Sequence, residues 1–341
     1  MSLYTNRQWF YVKRPEGRVG AEHYELRETA MDDELAINEV LVEQRFISVD
    51  PYMRIQQAER NTYDLPHPLG IVQRAATVGQ VLQSNSNQFK PGDWVLGYSG
   101  WQTLAKCHIS ELQKLDPELA PVSTALGVLG MPGRTAWFGL MEAGRPRAGD
   151  TLLVSGAAGA VGSLVAQFGK QAGCKVIGIA GGPAKCDYLI NRLKLDGAVD
   201  YRAFSTTAAL AQELERVTGG GWDVYFDNVG GWITDAVMPL LKLRARAVIC
   251  GAIAQYDGGL DQPDLGPRFL QHMLFKRATI QGILARDFTH RMEELRAAVG
   301  PWVKSGEVFL DETIVEGFDQ LPEALNSLFE GANTGKLLVK V

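Results

Sequence analysis

Sulfur and imidazole are scarce in this sequence. Four cysteines (Cys107, Cys174, Cys186, Cys250) and five histidines (His23, His67, His108, His272, His290) are scattered over 341 residues. No C-x-x-C pair occurs, which excludes a disulfide-stapled scaffold and suits free thiols in a reducing cytoplasm. The neighbours Cys107 and His108 have no second pair to complete a ligand set, so no metal centre is expected. No apolar run approaches the roughly 18 residues of a membrane span, and the first nine residues lack the apolar core of a signal peptide. Lys and Arg (34) against Asp and Glu (39) leave a net charge of −5 with no basic stripe. Neither nucleic acid nor a membrane is therefore an expected partner. What the chain does have is length enough for two domains and a large core.

It also has one punctuated stretch, Val154-Ser-Gly-Ala-Ala-Gly-Ala-Val-Gly-Ser163. The apolar run Thr151-Leu-Leu-Val precedes it. Val161, Leu164, Val165 and Phe168 follow at i, i+3, i+4 and i+7, one face of a helix. Strand, glycine turn and helix form the context of a dinucleotide site, where backbone N–H groups at a helix start meet a pyrophosphate. Compared with G-x-G-x-x-G, Ala157 replaces the first glycine, while Gly159 and Gly162 remain.

Residues 1 to about 125 read as short strands between turns such as Arg14-Pro-Glu-Gly and Lys90-Pro-Gly-Asp. Asp50-Pro-Tyr-Met-Arg and an irregular stretch from Tyr63 to Gly70 interrupt them, and loops of this kind often carry binding groups. From Gly130-Met-Pro-Gly onward, strands and helices alternate. Strands are expected at 175–180, 197–200, 222–227, 245–250 and 279–284, with helices near 184–193 and 206–217. Such alternation specifies a parallel, doubly wound sheet. A helix carrying Leu321, Ala324, Leu325, Leu328 and Phe329 on one face and a strand from Gly335 close the chain.

The second strand ends Ile179-Ala-Gly-Gly-Pro-Ala-Lys185, without the carboxylate that would accept from a ribose 2′-hydroxyl. Lys185, and Tyr201 after the third strand, suit a 2′-phosphate instead. The pattern favours NADPH over NADH.

Several motifs together resemble one family: Asp50-Pro-Tyr-Met-Arg, Met131-Pro-Gly, Ala157-Ala-Gly-Ala-Val-Gly, Tyr225-Phe-Asp-Asn-Val-Gly-Gly, Ile249-Cys-Gly-Ala-Ile-Ala-Gln-Tyr and Asn333-Thr-Gly-Lys. The set is similar to the zinc-independent medium-chain dehydrogenases/reductases, in the group of prostaglandin, alkenal and curcumin reductases. The resemblance implies an α/β protein: a GroES-like β-rich catalytic domain (1–125, re-entered at 303–341) around a doubly wound Rossmann dinucleotide-binding domain (126–302). It implies a homodimer as well. It would lay Gly159, Ala160, Val161 and Gly162 under the pyrophosphate, with Lys185 and Tyr201 at the 2′-phosphate. Asn228 and the segment Cys250, Gly251, Ala252, Ile253 to Tyr256 would line the adenosine and nicotinamide halves. Ile283, Leu284 and Ala285 would meet the carboxamide, and Asn333 would close the pocket. Tyr52, Tyr63 and Tyr256 match the family's tyrosines near the substrate. Arg134 and Trp137 depart from common family residues and are expected beside the cleft, where they would affect substrate choice.

The chemistry implied is hydride transfer from NADPH to the β-carbon of an α,β-unsaturated ketone or aldehyde. Negative charge then develops on the carbonyl oxygen, and a donor aimed there stabilises the transition state. Phenols, with ordinary pKa values near 10, stay protonated at pH 7 and suit that role. The alternatives are a quinone oxidoreductase of a neighbouring branch and an NADPH-binding sensor without turnover.

Overall fold

The computed structural model describes residues 3–60, 62–258 and 262–341. Its first part holds eight strands: β1 (Leu3–Tyr11), β2 (Tyr24–Asp32), β3 (Glu39–Ser48), β4 (Ile71–Val72), β5 (Thr77–Ser84), β6 (Trp94–Gly97), β7 (Leu104–His108) and β8 (Gln113–Leu115). β-Branched and aromatic residues and frequent turn signals favour these short antiparallel elements. A small sheet runs β2-β1-β4. The short helix α1 (Tyr52–Gln56) follows β3 directly and buries Met53, Arg54 and Ile55. The sequence reading placed no helix there, and with only five residues α1 is too short for a 3.6-residue period to register.

The middle of the chain alternates strands and helices. After α2 (Met131–Phe138) come β9 (Thr151–Ser155), α3 (Gly162–Gln171), β10 (Lys175–Ala180), α4 (Pro183–Asp187), β11 (Gly197–Asp200), α5 (Thr207–Thr218), β12 (Trp222–Asp227), α6 (Gly231–Val237) and β13 (Leu241–Ile249). The short α7 (Ile253–Tyr256), α8 (Leu270–Lys276), β14 (Thr279–Gly282) and α9 (Met292–Ser305) complete this part. Its six strands form a parallel sheet in the order β11-β10-β9-β12-β13-β14. The order reverses at β9, so the crevice beyond the carboxyl ends of β9 and β12 is the expected ligand site. Strand β9 is buried along its whole length, the mark of a strand covered on both faces. Against it α3 packs Leu164, Val165 and Phe168, each contributing roughly 1.5–3 kcal/mol by burial.

The tail supplies β15 (Glu312–Glu316), α10 (Leu321–Glu330) and β16 (Lys336–Lys340). β16 pairs with both β15 and β3, which places the tail in a second sheet, ordered β15-β16-β3-β5-β6-β8 with β7 on β3. The α/β architecture is a β-rich GroES-like part joined to a Rossmann-type parallel sheet. Among the described residues no helix is long and apolar enough to cross a membrane.

Trp137 is half-buried and packs against the core of the parallel-sheet part, edge-on against Phe168 at 5.7 Å and Trp302 at 6.0 Å. Tilted aromatic packing of this kind is favourable beyond the area it buries. Arg134, from the preceding turn of α2, donates to the Thr289 hydroxyl at 2.9 Å.

Candidate active site

The glycine turn at the end of β9 is held by close backbone approach. Gly156 adopts φ +58°, and its carbonyl accepts from the Gly159 amide at 3.0 Å. A Cβ on Gly162 would stand 2.2 Å from the Gly156 carbonyl oxygen, so only glycine lets α3 start this near the strand. The turn therefore keeps a glycine-rich backbone cradle at the start of α3, the setting that a pyrophosphate requires.

Two other segments build the walls. Asp227 ends β12 and is buried; it accepts from the Ser155 hydroxyl at 2.8 Å, from the amides of Val229 and Gly230 at 3.0 Å, and from Thr234. Asn228 donates its side-chain amide to the Ser155 carbonyl at 2.7 Å. Together they lock the ends of β9 and β12. The second wall is the tail. Gly335 donates to the Ala158 carbonyl at 2.8 Å and forms a bridge with Gly159. Asn333 is buried and donates to the Gly335 carbonyl at 2.9 Å, shaping this turn.

At the far end of the groove Lys185 and Tyr201 meet, together with Arg202, which the sequence reading passed over. A Cβ on Gly181 would lie 2.8 Å from Arg202 Nε and 3.1 Å from the Tyr201 hydroxyl. One on Gly331 would lie 3.5 Å from Arg202 Nη2 and 3.6 Å from Lys185 Nζ. The small residues thus leave a gap faced by two cations and a phenol. Burial and the neighbouring Arg202 charge pull the Lys185 ammonium below its ordinary range, as expected for two like charges awaiting an anion.

The opposite end of the groove gathers tyrosines. The Tyr52 and Tyr98 hydroxyls are 2.8 Å apart. Tyr63 lies within electrostatic reach of Tyr256 and Tyr98, and Tyr52 within reach of Tyr63. Burial raises the pKa of all four phenols above the ordinary tyrosine value, so they remain protonated at neutral pH. Tyr256 accepts from the Ala252 amide at 2.9 Å, which leaves its own proton free to donate. Arg286 donates to the Tyr63 carbonyl and sits 5.4 Å from that ring's centroid, tying the Tyr63 loop to the parallel-sheet part. Arg286 directly follows Ile283, Leu284 and Ala285, which are half-buried where β14 ends; Ile283 donates its amide to Ile249 at 3.1 Å. Burial and Asp227 push the Cys250 thiol up to about 12, away from nucleophile chemistry. In the loop 255–265, residues 259–261 lie outside the described residues.

The structure thus brings Tyr52, Tyr63 and Tyr256 together and adds Tyr98. Tyr98 follows β6 in Gly97-Tyr98-Ser99-Gly100, and those flanking glycines were its only signal. Asp227 was visible inside the Phe-Asp-Asn motif, but only its partners reveal its role. Cys107 and His108 are consecutive on β7 and face opposite sides. Cys107 is buried beside Ser99, and the exposed His108 bonds Ser110. Among the described residues no group of three or more His, Cys, Asp or Glu is gathered to hold a metal.

Comparison with known proteins places this geometry. Residues 7–115 match the family described as N-terminal domain of oxidoreductase, and 160–300 match the family described as Zinc-binding dehydrogenase. The NADPH-dependent curcumin reductase of Escherichia coli is 38% identical, over 98% of this chain and 97% of its own. The NADP-dependent 2-alkenal reductase of Nicotiana tabacum is 37% identical, over 89% and 88%. The solved structure of CurA from Vibrio vulnificus in complex with NADPH superposes with a TM-score of 0.90 at 40% identity, covering 98% of this chain and 99% of that one.

Proposed function

The chain belongs to the medium-chain dehydrogenase/reductase family, among the prostaglandin, alkenal and curcumin reductases, and from that premise we propose that it is an NADPH-dependent reductase of carbon–carbon double bonds conjugated to a carbonyl. The observation that carries this reading is the cluster of protonated phenols at one end of a groove whose other end presents two cations. NADPH, when bound, supplies a hydride for the substrate's β-carbon. Gly159, Ala160, Val161 and Gly162 would hold its pyrophosphate, and Lys185, Tyr201 and Arg202 its 2′-phosphate. Asn228, Asn333, the segment from Cys250 through Gly251, Ala252 and Ile253 to Tyr256, and Ile283, Leu284 and Ala285 would enclose the remainder.

The chain's own work is to orient and polarise. A phenol donating to the carbonyl oxygen stabilises the negative charge that develops there during reduction. Tyr256 is the first candidate, because among the described residues its hydroxyl accepts from the Ala252 amide and donates to none. The Tyr52–Tyr98 pair leads from the cluster to exposed Tyr98, a route by which solvent can resupply a proton to the α-carbon. Arg286 fastens Tyr63 beside the cluster.

The test is NADPH oxidation followed at 340 nm with a linear 2-alkenal, an aryl enone, a simple quinone and a saturated aldehyde. Turnover of the enones to saturated carbonyls, identified by mass spectrometry, is the expected result. Oxidation with the quinone alone would overturn the reading in favour of quinone reduction. Binding of NADPH without oxidation would favour a sensor.

A homodimer is part of the same proposal. β14 ends the parallel sheet with an open edge, and all four of its residues are exposed. Leu270, Leu274 and Phe275 on α8 and Ile280 on β14 are exposed beside it. An open edge flanked by apolar side chains calls for a covering strand, which a second copy supplies.

A further inference from the structure

The amino-terminal end of the parallel sheet, opposite the glycine turn, carries a cavity of about 310 Å³ lined by Arg145, Arg147, Arg244, Arg246, Arg277 and Thr279. Its position follows from the register. Arg246 pairs with Thr279, the first residue of β14, and Asp150 immediately precedes β9. The glycine turn and the segment 250–256 instead follow their strands, so this cavity is separate from the active-site groove.

Five arginines line this cavity in a chain of net charge −5. One carboxylate is among them: Asp150 pairs with Arg246 and accepts the Arg147 amide at 3.0 Å. Among the described residues Arg145, Arg147, Arg244 and Arg277 form no ion pair. The Arg246 Nε is buried without a hydrogen-bond partner. Arg145, Arg244 and Arg277 hold left-handed backbone, with φ of 44°, 62° and 50°, where glycine is the unstrained choice. Arg145 caps the carboxyl end of the helical segment Gly139–Gly144 that continues α2, and Arg277 that of α8, each end worth up to about half a negative charge. Those ends and Asp150 still leave a surplus of roughly three positive charges.

We infer that this cavity binds a small polyanion carrying two or more phosphate groups. Guanidinium forks match phosphate oxygens in pairs, and one such ligand would neutralise the mutual repulsion of the arginines. A concave site of a few hundred Å³ suits a small molecule. A nucleic-acid backbone needs an extended basic track, which this acidic chain lacks.

The test is calorimetric titration of the full-length protein with inorganic pyrophosphate, with and without NADPH, using orthophosphate and citrate as comparison anions. Expected is one saturable pyrophosphate site, at least tenfold tighter than orthophosphate or citrate and indifferent to NADPH. Binding should weaken at least tenfold in both Arg147→Gln and Arg244→Gln. Thermal melts of the unliganded variants check that they fold. Arg147→Gln carries the test if the change at the left-handed position 244 disturbs folding. Absence of saturable binding, binding unchanged in the folded variants, or competition by NADPH would each overturn the proposal. Citrate binding as tightly as pyrophosphate would overturn the assignment to phosphate.

Discussion

Residue by residue, the site is a set of protonation states fixed by burial and partners. Tyr256 receives a hydrogen bond from the Ala252 amide and keeps its proton to give. Tyr256→Phe should therefore lower kcat for an enone by roughly 10²–10³, about 2.7–4 kcal/mol, by analogy with the loss of one donor from an oxyanion hole. Wild-type turnover in that variant would pass the role to Tyr52. His67 is a second case. It is buried, stacks on Tyr11 at 5.4 Å and accepts the Arg74 amide on Nε2 at 3.3 Å. Burial, with Arg74 and Arg14 nearby, lowers its pKa to about 4. An unfolded chain takes up this proton from about pH 6.5 downward, while the folded state refuses it until about 4. Stability from this residue is thus full above pH 6.5 and lost as pH falls towards 4, by roughly 3 kcal/mol. Urea unfolding at pH 7 and pH 4.5 should reveal a steeper loss in the wild type than in His67→Phe. Equal losses would remove His67 as the cause. Tyr52, Tyr63 and Tyr256 were named from the family resemblance, Tyr52 and Tyr256 within its motifs, and the fold brings the three together. Tyr98 and Arg202 were not, because a lone aromatic after a strand and an arginine after a tyrosine gain meaning only from what folds beside them.

Among elements, the central parallel strands β9, β10 and β12 were readable from apolar runs between glycines, because burial on both faces leaves a continuous signal. The glycine turn was readable for the same reason of context. The turn at 333–335 was legible only through the family resemblance, which has Asn333 closing the pocket; nothing in the residues Asn333-Thr-Gly-Lys themselves announces that Gly335 will lie against Gly159. Gly335 holds φ +66°, and a Cβ there would stand 1.9 Å from the Asp311 carbonyl oxygen. Gly335→Ala should cost at least about 2 kcal/mol through backbone strain and displacement of β15 or the turn. It should also raise the KM for NADPH, since the same turn braces the glycine loop. A variant with unchanged denaturation midpoint and unchanged KM would contradict both expectations.

Over the whole molecule, the returning tail is tied to the end of β3 by a few buried polar contacts. Lys336 is buried, donates to the Val49 and Leu337 carbonyls at 2.8 and 2.7 Å, and pairs with Asp50 at 3.2 Å. Asp50 in turn accepts from Ser48 and stands two residues before Tyr52. Lys336→Met should leave Asp50 buried and uncompensated at a cost of about 3–5 kcal/mol, whereas replacing both groups should cost less. Chemical denaturation of the single and the double variant Lys336→Met/Asp50→Asn distinguishes the two, and equal losses would mean that the charge is not the cause. Sedimentation equilibrium should return twice the 37.3 kDa chain mass. A monomer mass would leave the β14 edge without its proposed partner. Two-part organisation was evident from the change in composition near residue 120, but the site's location at the seam required the tail's return to β3.

The bridge between Gly159 and Gly335 has a consequence in time. During synthesis on the ribosome the glycine turn emerges long before the segment that braces it, so a nascent chain displays this turn with one wall missing. The turn is thereby completed only late in translation, when the β-rich part receives its last two strands.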